Sequence, residues 1–131
     1  MDTRSEACLE HVEPDLVRVI RAASQTPQAF EVTYGLRTEA AEAQAVRTGH
    51  SETMHSRHLP DQAGLAAAID FTPLIDGEIS FCAGHEAEVY GQVVAQIKSA
   101  ARSLGIAVEF GAEWTSFKDW GHVQLPWSTH P

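Results

Sequence analysis

The sequence predicts an α+β fold, with a small, mostly antiparallel sheet packed against helices. Three observations predict it. Helical periodicity opens the chain, strands and helices mix afterwards, and several strands are separated by loops rather than by crossover helices. No internal repeat, low-complexity tract or long linker divides the 131 residues. They are therefore expected to form one domain, 1–131, long enough to bury a core without disulfide staples.

Each element has its own signal. Residues 5–24, SEACLEHVEPDLVRVIRAAS, read as a helix that Pro14 can break, with Leu16, Val17, Val19 and Ile20 on its apolar stripe. FEVTYG (30–35) alternates and is β-branched, which predicts a strand. Thr38 can cap a second helix, EAAEAQAVRT, that Gly49 stops. Residues 50–64 carry loop chemistry, and AAAIDFTP (66–73) is a short strand. Residues 74–84 connect onward through an Asp76-Gly77 turn. HEAEVYGQVVAQIKSAARSL (85–104) is a long amphipathic helix with Val89, Val93, Ile97, Ala101 and Leu104 on one face and Gly105 as its stop. IAVEFG (106–111) is a strand, WTSFKDWG a loop, and HVQL (122–125) a last strand closed by Pro126.

Composition excludes several function classes. Apolar residues make up 44% of the chain, which is globular rather than disordered. The formal net charge of −9 argues against nucleic acid, whose binding needs Lys/Arg patches, and gives no attraction to an anionic cell envelope. No apolar run approaches a membrane span. The opening MDTRSEACLEHVEP lacks a basic segment followed by an apolar one, so a cytoplasmic protein is expected. Cys8 and Cys82 are far apart and sit in no CxxC spacing, which predicts reduced thiols. A monomer is expected.

The strand AAAIDF raises the chemical question. It sets Asp70 between Ile69 and Phe71, and a buried carboxylate is costly unless something cationic pairs with it. His58, Asp70 and His122 could share a metal. Two imidazoles and one carboxylate suit zinc and leave a fourth position for water. Asp119, three residues before His122 in DWGH, could then serve as a general base. Arg37, in YGLRT, could hold a substrate carboxylate or an oxyanion. The residues alone leave blander readings open. Asp70 could cap a turn or pair with an arginine, the two histidines could be ordinary polar residues, Asp119 could be a solvated loop residue, and Arg37 could pair with a glutamate. Trp114, Phe117, Trp120 and Trp127 suit packing or stacking on a ligand. His85 suits the start of the long helix, and His11 and His130 suit the surface.

The order YGLRT, EAQ, TGHS, SRH, AAAIDF and WTSFKDWGHVQL resembles the zinc D-alanyl-D-alanine carboxypeptidase and dipeptidase family. It is most similar to its L-alanyl-D-glutamate endopeptidase branch of phage endolysins. The resemblance runs from about Phe30 to Leu125, and its most specific piece is W-x-S-F-x-D-x-x-H at 114–122. It implies the Hedgehog/DD-peptidase fold, zinc ligands at His58, Asp70 and His122, a catalytic carboxylate at Asp119, and Arg37 as a contact to substrate or transition state. Ser56 would orient the site by hydrogen bonding. The spacing from His58 to Asp70 is longer than the family's, which leaves His55 and His50 as alternatives to His58. Gly64 and Ala66 both stand for the family's glycine, and Gly121 replaces a common proline. The implied function is zinc-dependent hydrolysis of the peptidoglycan stem peptide as an endolysin, released to the wall through a holin. D-alanyl-D-alanine cleavage and an inactive metal- or peptide-binding domain are the alternatives.

Overall fold

The computed structural model describes residues 2–24, 27–36, 57–61, 63–80, 82, 84–113 and 119–130. The expected helix 39–48, with Thr38 and Gly49 at its limits, lies outside them. So do Arg37, His50, His55, Ser56, Trp114 and Phe117.

The first predicted helix is two. Asp2 caps α1 (Thr3–Leu9) by accepting from the Ser5 backbone N–H at 2.8 Å. Pro14 begins α2 (Pro14–Ala23), where its missing N–H costs nothing. The link between them is extended enough to pair. Val12 forms a parallel bridge with Ala66, through Glu13 N–H to Ala66 O and Ala66 N–H to His11 O, both 2.8 Å.

Five strands form the sheet among the described residues. They are β1 (Phe30–Tyr34), β2 (Ala68–Ile75), β3 (Glu78–Ile79), β4 (Glu109–Phe110) and β5 (His122–Gln124). The order is β1-β2-β5-β4, with β3 on the far end of β2, and every strand pair is antiparallel. The predicted connector 74–84 thus contains a strand. Asp76 and Gly77 both have positive φ, 53° and 81°, as a two-residue hairpin of this hand requires. The predicted strand 106–111 is only β4, because Ile106 N–H is still bonded to Ala101 O at the end of the preceding helix and Gly111–Glu113 turns into a 3₁₀ helix. The long helix α3 (Glu86–Leu104) ends on Gly105 in the left-handed conformation. Among the described residues no helix is long and apolar enough to cross a membrane.

The pleat of β2 sorts the sheet into two faces. Ile69 pairs with Val123 and Phe71 with Val32, and these four side chains are buried in a core shared with α2 and α3. Leu16, Val19, Ile20, Val93 and Ile97 complete that core with no exposed surface. Ala68 pairs with Gln124, and Asp70 with His122 and Tyr34, on the opposite face. A bulge between Val32 and Tyr34 inserts one residue into β1 and moves Tyr34 to the Asp70 side.

The long segment between His58 and Asp70 folds as a closed turn against the α1–α2 link. Asp61 Oδ1 accepts from Ala63 N–H at 2.9 Å and Leu65 N–H at 3.0 Å, and Gly64 takes φ 79°. Ala66 is fully buried. Beneath the turn the Arg57 guanidinium is buried, donates to the backbone oxygens of Leu125 and His130, and lies 3.9 Å from the centre of the Trp127 ring. His130 is therefore a tail anchor rather than a plain surface residue, and its Nε2 lies 3.2 Å from Asp15 Oδ2.

Glu13 faces Asp61 in this turn. The hydrogen bond to Asp61, then burial and the negative charges of Asp61 and Asp15, push its carboxyl up to about 7, against the pull of Arg57. A folded-state pKa raised from 4.5 stabilises the fold fully below 4.5, and that contribution is lost as pH rises through about 7. Asp61 shifts the other way, so its own linkage lies below its ordinary value of 3.8. Glu13→Gln, a permanent donor to Asp61, should therefore melt close to wild type at pH 5 and above it at pH 8. Thermal unfolding of both proteins across that range checks this, because the difference cancels the histidines titrating in the same window. A constant difference would contradict it.

Candidate metal centre

His58, Asp70 and His122 converge on the sheet face opposite the core. The two imidazoles are 3% and 5% exposed, which deprives them of water as a hydrogen-bond partner. Asp70 and His122 meet because they are directly opposed on β2 and β5. His58 arrives from the turn at 57–58, which Ala67 N–H ties to Arg57 O at 2.9 Å. Its ring lies edge-on to that of His122, with centroids 5.1 Å apart, and edge-on to Tyr34 at 5.7 Å. Among the described residues these three are the group whose ligand atoms all lie within 4.8 Å of one another.

Hydrogen bonds on the outer side of each ring decide which nitrogen faces inward. His58 Nδ1 is 2.9 Å from Gly35 O. A carbonyl only accepts, so Nδ1 carries the proton and Nε2 turns a lone pair toward Asp70. His122 Nε2 is 2.8 Å from Gln124 Oε1, while the Gln124 amide nitrogen donates to Glu109 Oε1 at 3.1 Å. Nε2 of His122 therefore carries the proton, and Nδ1 turns inward. Asp70 Oδ1 lies 3.3 Å from His58 Nε2 and 3.4 Å from His122 Nδ1, yet it is buried and accepts no hydrogen bond.

Three electron-pair donors thus meet with no proton between them when the rings are neutral. That arrangement calls for a cation. Protonated rings would meet the same need. Burial opposes ionisation of Asp70, but the two imidazoles outweigh it and hold the carboxyl well below the usual range. Burial lowers the proton affinity of His122, and Asp70 with Gln124 more than restores it. Zinc fits the donor set. Ligand atoms about 2.05 Å from a tetrahedral ion stand roughly 3.3 Å from one another, and Asp70 Oδ1 stands 3.3 and 3.4 Å from the two imidazole nitrogens.

Asp119 stands at the edge of this group. Its N–H donates to Gly111 O at 3.0 Å, and its own carbonyl receives the His122 N–H at 3.4 Å, so the DWGH turn is closed. The Gly121 N–H favours the charged form of its carboxyl. Burial and the charge of Asp70 raise its pKa, with the two histidines partly offsetting them. Glu113, six residues before Asp119, pairs with Lys98 on α3 at 3.0 Å.

Three glycines, Gly35, Gly121 and Gly111, allow close approaches around the site, and on Gly121 a Cβ would stand 2.3 Å from Phe71 O. A Cβ on Gly35 would stand 2.0 Å from Cys8 O, so only glycine lets the acceptor for His58 pass the end of α1. A Cβ on Gly111 would stand 2.5 Å from Asp119 O and 2.9 Å from the Cβ atoms of Asp119 and His122. Gly111→Ala should therefore cost about 1–3 kcal/mol of stability and lower turnover by displacing Asp119. Thermal unfolding and initial rates read the two effects. An unchanged rate in the destabilised variant would mean that Asp119 holds its place.

The structure brings together His58, Asp70, His122 and Asp119, the residues selected from sequence, while Arg37 and Ser56 lie outside the described residues. Gly35, Gln124, Glu109 and Gly111 had no sequence signal of their own. Their roles come from register and close approach.

Comparison with known proteins places the chain in a family. A profile of the phage L-alanyl-D-glutamate peptidase family matches residues 1–124. The L-alanyl-D-glutamate peptidase of Escherichia phage T5 is 32% identical, over 92% of this chain and 93% of its own length. The crystal structure of the Serratia marcescens L-Ala D-Glu endopeptidase ChiX superposes with a TM-score of 0.85 at 39% identity, covering 98% of this chain and 91% of that one.

Proposed function

Because the chain belongs to the phage L-alanyl-D-glutamate peptidase family, we propose that it hydrolyses the L-alanyl–D-glutamate bond of the peptidoglycan stem peptide, with zinc held by His58, Asp70 and His122 and Asp119 as the general base. The observation that carries this reading is Asp70 Oδ1, a buried, unprotonated oxygen with two inward-facing imidazole nitrogens beside it and no hydrogen bond.

When bound, zinc would supply a Lewis acid that acidifies water and polarises the scissile carbonyl. The side chains do the rest. His58 and His122 stay neutral, each locked in one tautomer by its outer hydrogen bond. Asp70 supplies negative charge to the site. Asp119, ionised in the resting state, takes the proton of the attacking water and returns it to the departing amine of the D-glutamate residue. Its raised pKa suits both transfers. We assign Arg37 to a substrate carboxylate or the oxyanion and Ser56 to orienting the site, and the sequence motifs support both assignments.

The test is digestion of purified muropeptides with products read by mass spectrometry. Cleavage between L-Ala and D-Glu is the expected result. Release of terminal D-Ala would assign the chain to carboxypeptidase chemistry instead, and intact substrate in the presence of zinc would make it a binding domain.

A further inference from the structure

We propose that Glu109 and Gln124 are positioning residues that fix the tautomer of His122 and thereby set the affinity of the site for zinc. The proposal rests on the metal reading above. It follows from the direction of three hydrogen-bonding groups. Glu109 and Gln124 are directly opposed across β4 and β5, and His122 lies two residues before Gln124 on the same face of β5. An ionised carboxylate only accepts, so Glu109 draws the amide NH₂ of Gln124 toward itself. The amide oxygen is then left for His122, and it can only accept from Nε2–H at 2.8 Å. Nδ1 then turns its lone pair toward Asp70, 3.4 Å away.

An exposed glutamate on an edge strand thus decides, through one buried amide, which face of an imidazole meets the metal. If the amide reversed, Gln124 would donate to Nε2, and the proton would move to Nδ1, between the ring and Asp70. Metal binding would then require its removal. The Gln124 side chain is almost wholly buried.

The experiment uses the whole chain with four variants, E109Q, Q124L, Q124E and the exchange E109Q/Q124E. Two readouts are taken. The His122 tautomer is read in metal-free protein at pH 8 from long-range ¹H–¹⁵N correlations of the ring, and zinc affinity is read by competition with a chelator. Wild type should show the Nε2–H tautomer. E109Q, which changes only the surface end of the relay, should populate Nδ1–H and weaken zinc about tenfold, and Q124L should weaken it about 10–100-fold. Q124E alone sets two carboxylates against each other. Both Q124E and the exchange place at position 124 a carboxylate that only accepts, so both should keep the Nε2–H tautomer, and in the exchange the cross-strand hydrogen bond runs from position 109 to position 124 and relieves the repulsion. A purely structural role for either residue would not move the tautomer in E109Q while leaving it in these two. An E109Q protein with wild-type tautomer and wild-type zinc affinity would overturn the proposal, as would an exchange that holds the Nδ1–H tautomer. If wild type binds no zinc, the metal reading falls, and a tautomer unmoved in E109Q would sink the relay as well.

Discussion

Asp119→Asn should lower the rate of stem-peptide cleavage by about two to four orders of magnitude, the usual contribution of a positioned acid–base group, while retaining wild-type zinc. The substitution is close to isosteric, and an asparagine Oδ1 can accept from the Gly121 N–H. The backbone bonds that close the turn, from Asp119 to Gly111 and from His122 to Asp119, do not involve the side chain. What is removed is the carboxylate's charge and with it the capacity to take up a proton. Metal analysis and steady-state kinetics on the same preparation separate the two effects. A loss of less than tenfold with zinc in place would mean that another group accepts the proton.

Asp70→Ala should have the larger effect on the metal. It removes the anionic donor and leaves two nearly buried imidazoles with no carboxylate between them. We expect zinc content near zero after desalting and cleavage below detection. In wild type, a ligand at a thousandfold excess over its dissociation constant stabilises the fold by about 4 kcal/mol, so zinc should raise the melting temperature clearly. In Asp70→Ala that response should vanish. Chelation of wild type should reproduce the loss of activity and be reversed by added zinc, whereas the variant should not be rescued. A variant that still takes up one zinc and still responds to it would place the metal elsewhere.

The parts of this protein legible in its sequence are those decided locally. Pro14 breaks the first helix, Gly105 ends the last, and Asp76-Gly77 turns β2 back on itself, because each residue restricts its own backbone. Even so, β3 lies in what reads as a connector, since two residues are too few to show alternation. Asp70 announced the metal group because a carboxylate within an apolar strand is an energetic anomaly visible in one dimension. His58 was harder, for its spacing to Asp70 reflects the Asp61 turn, which contributes nothing to the site itself. Residues whose roles depend on which strand lies beside which were not legible. Gln124 and Glu109 meet only through the β4–β5 register, and Gly111 matters only because Asp119 and His122 pack against its bare Cα. Tyr34 faces His58 because of a bulge that no periodicity in FEVTY signals.

The most direct measurement is anomalous scattering at the zinc edge from crystals of the zinc-loaded protein. It should show one zinc per chain, bound by His58 Nε2, His122 Nδ1 and an Asp70 carboxylate oxygen, with Asp119 beside it and not bound to it. A zinc held by His50 or His55 in place of His58, or through His122 Nε2, or no ordered zinc near Asp70, would contradict the account.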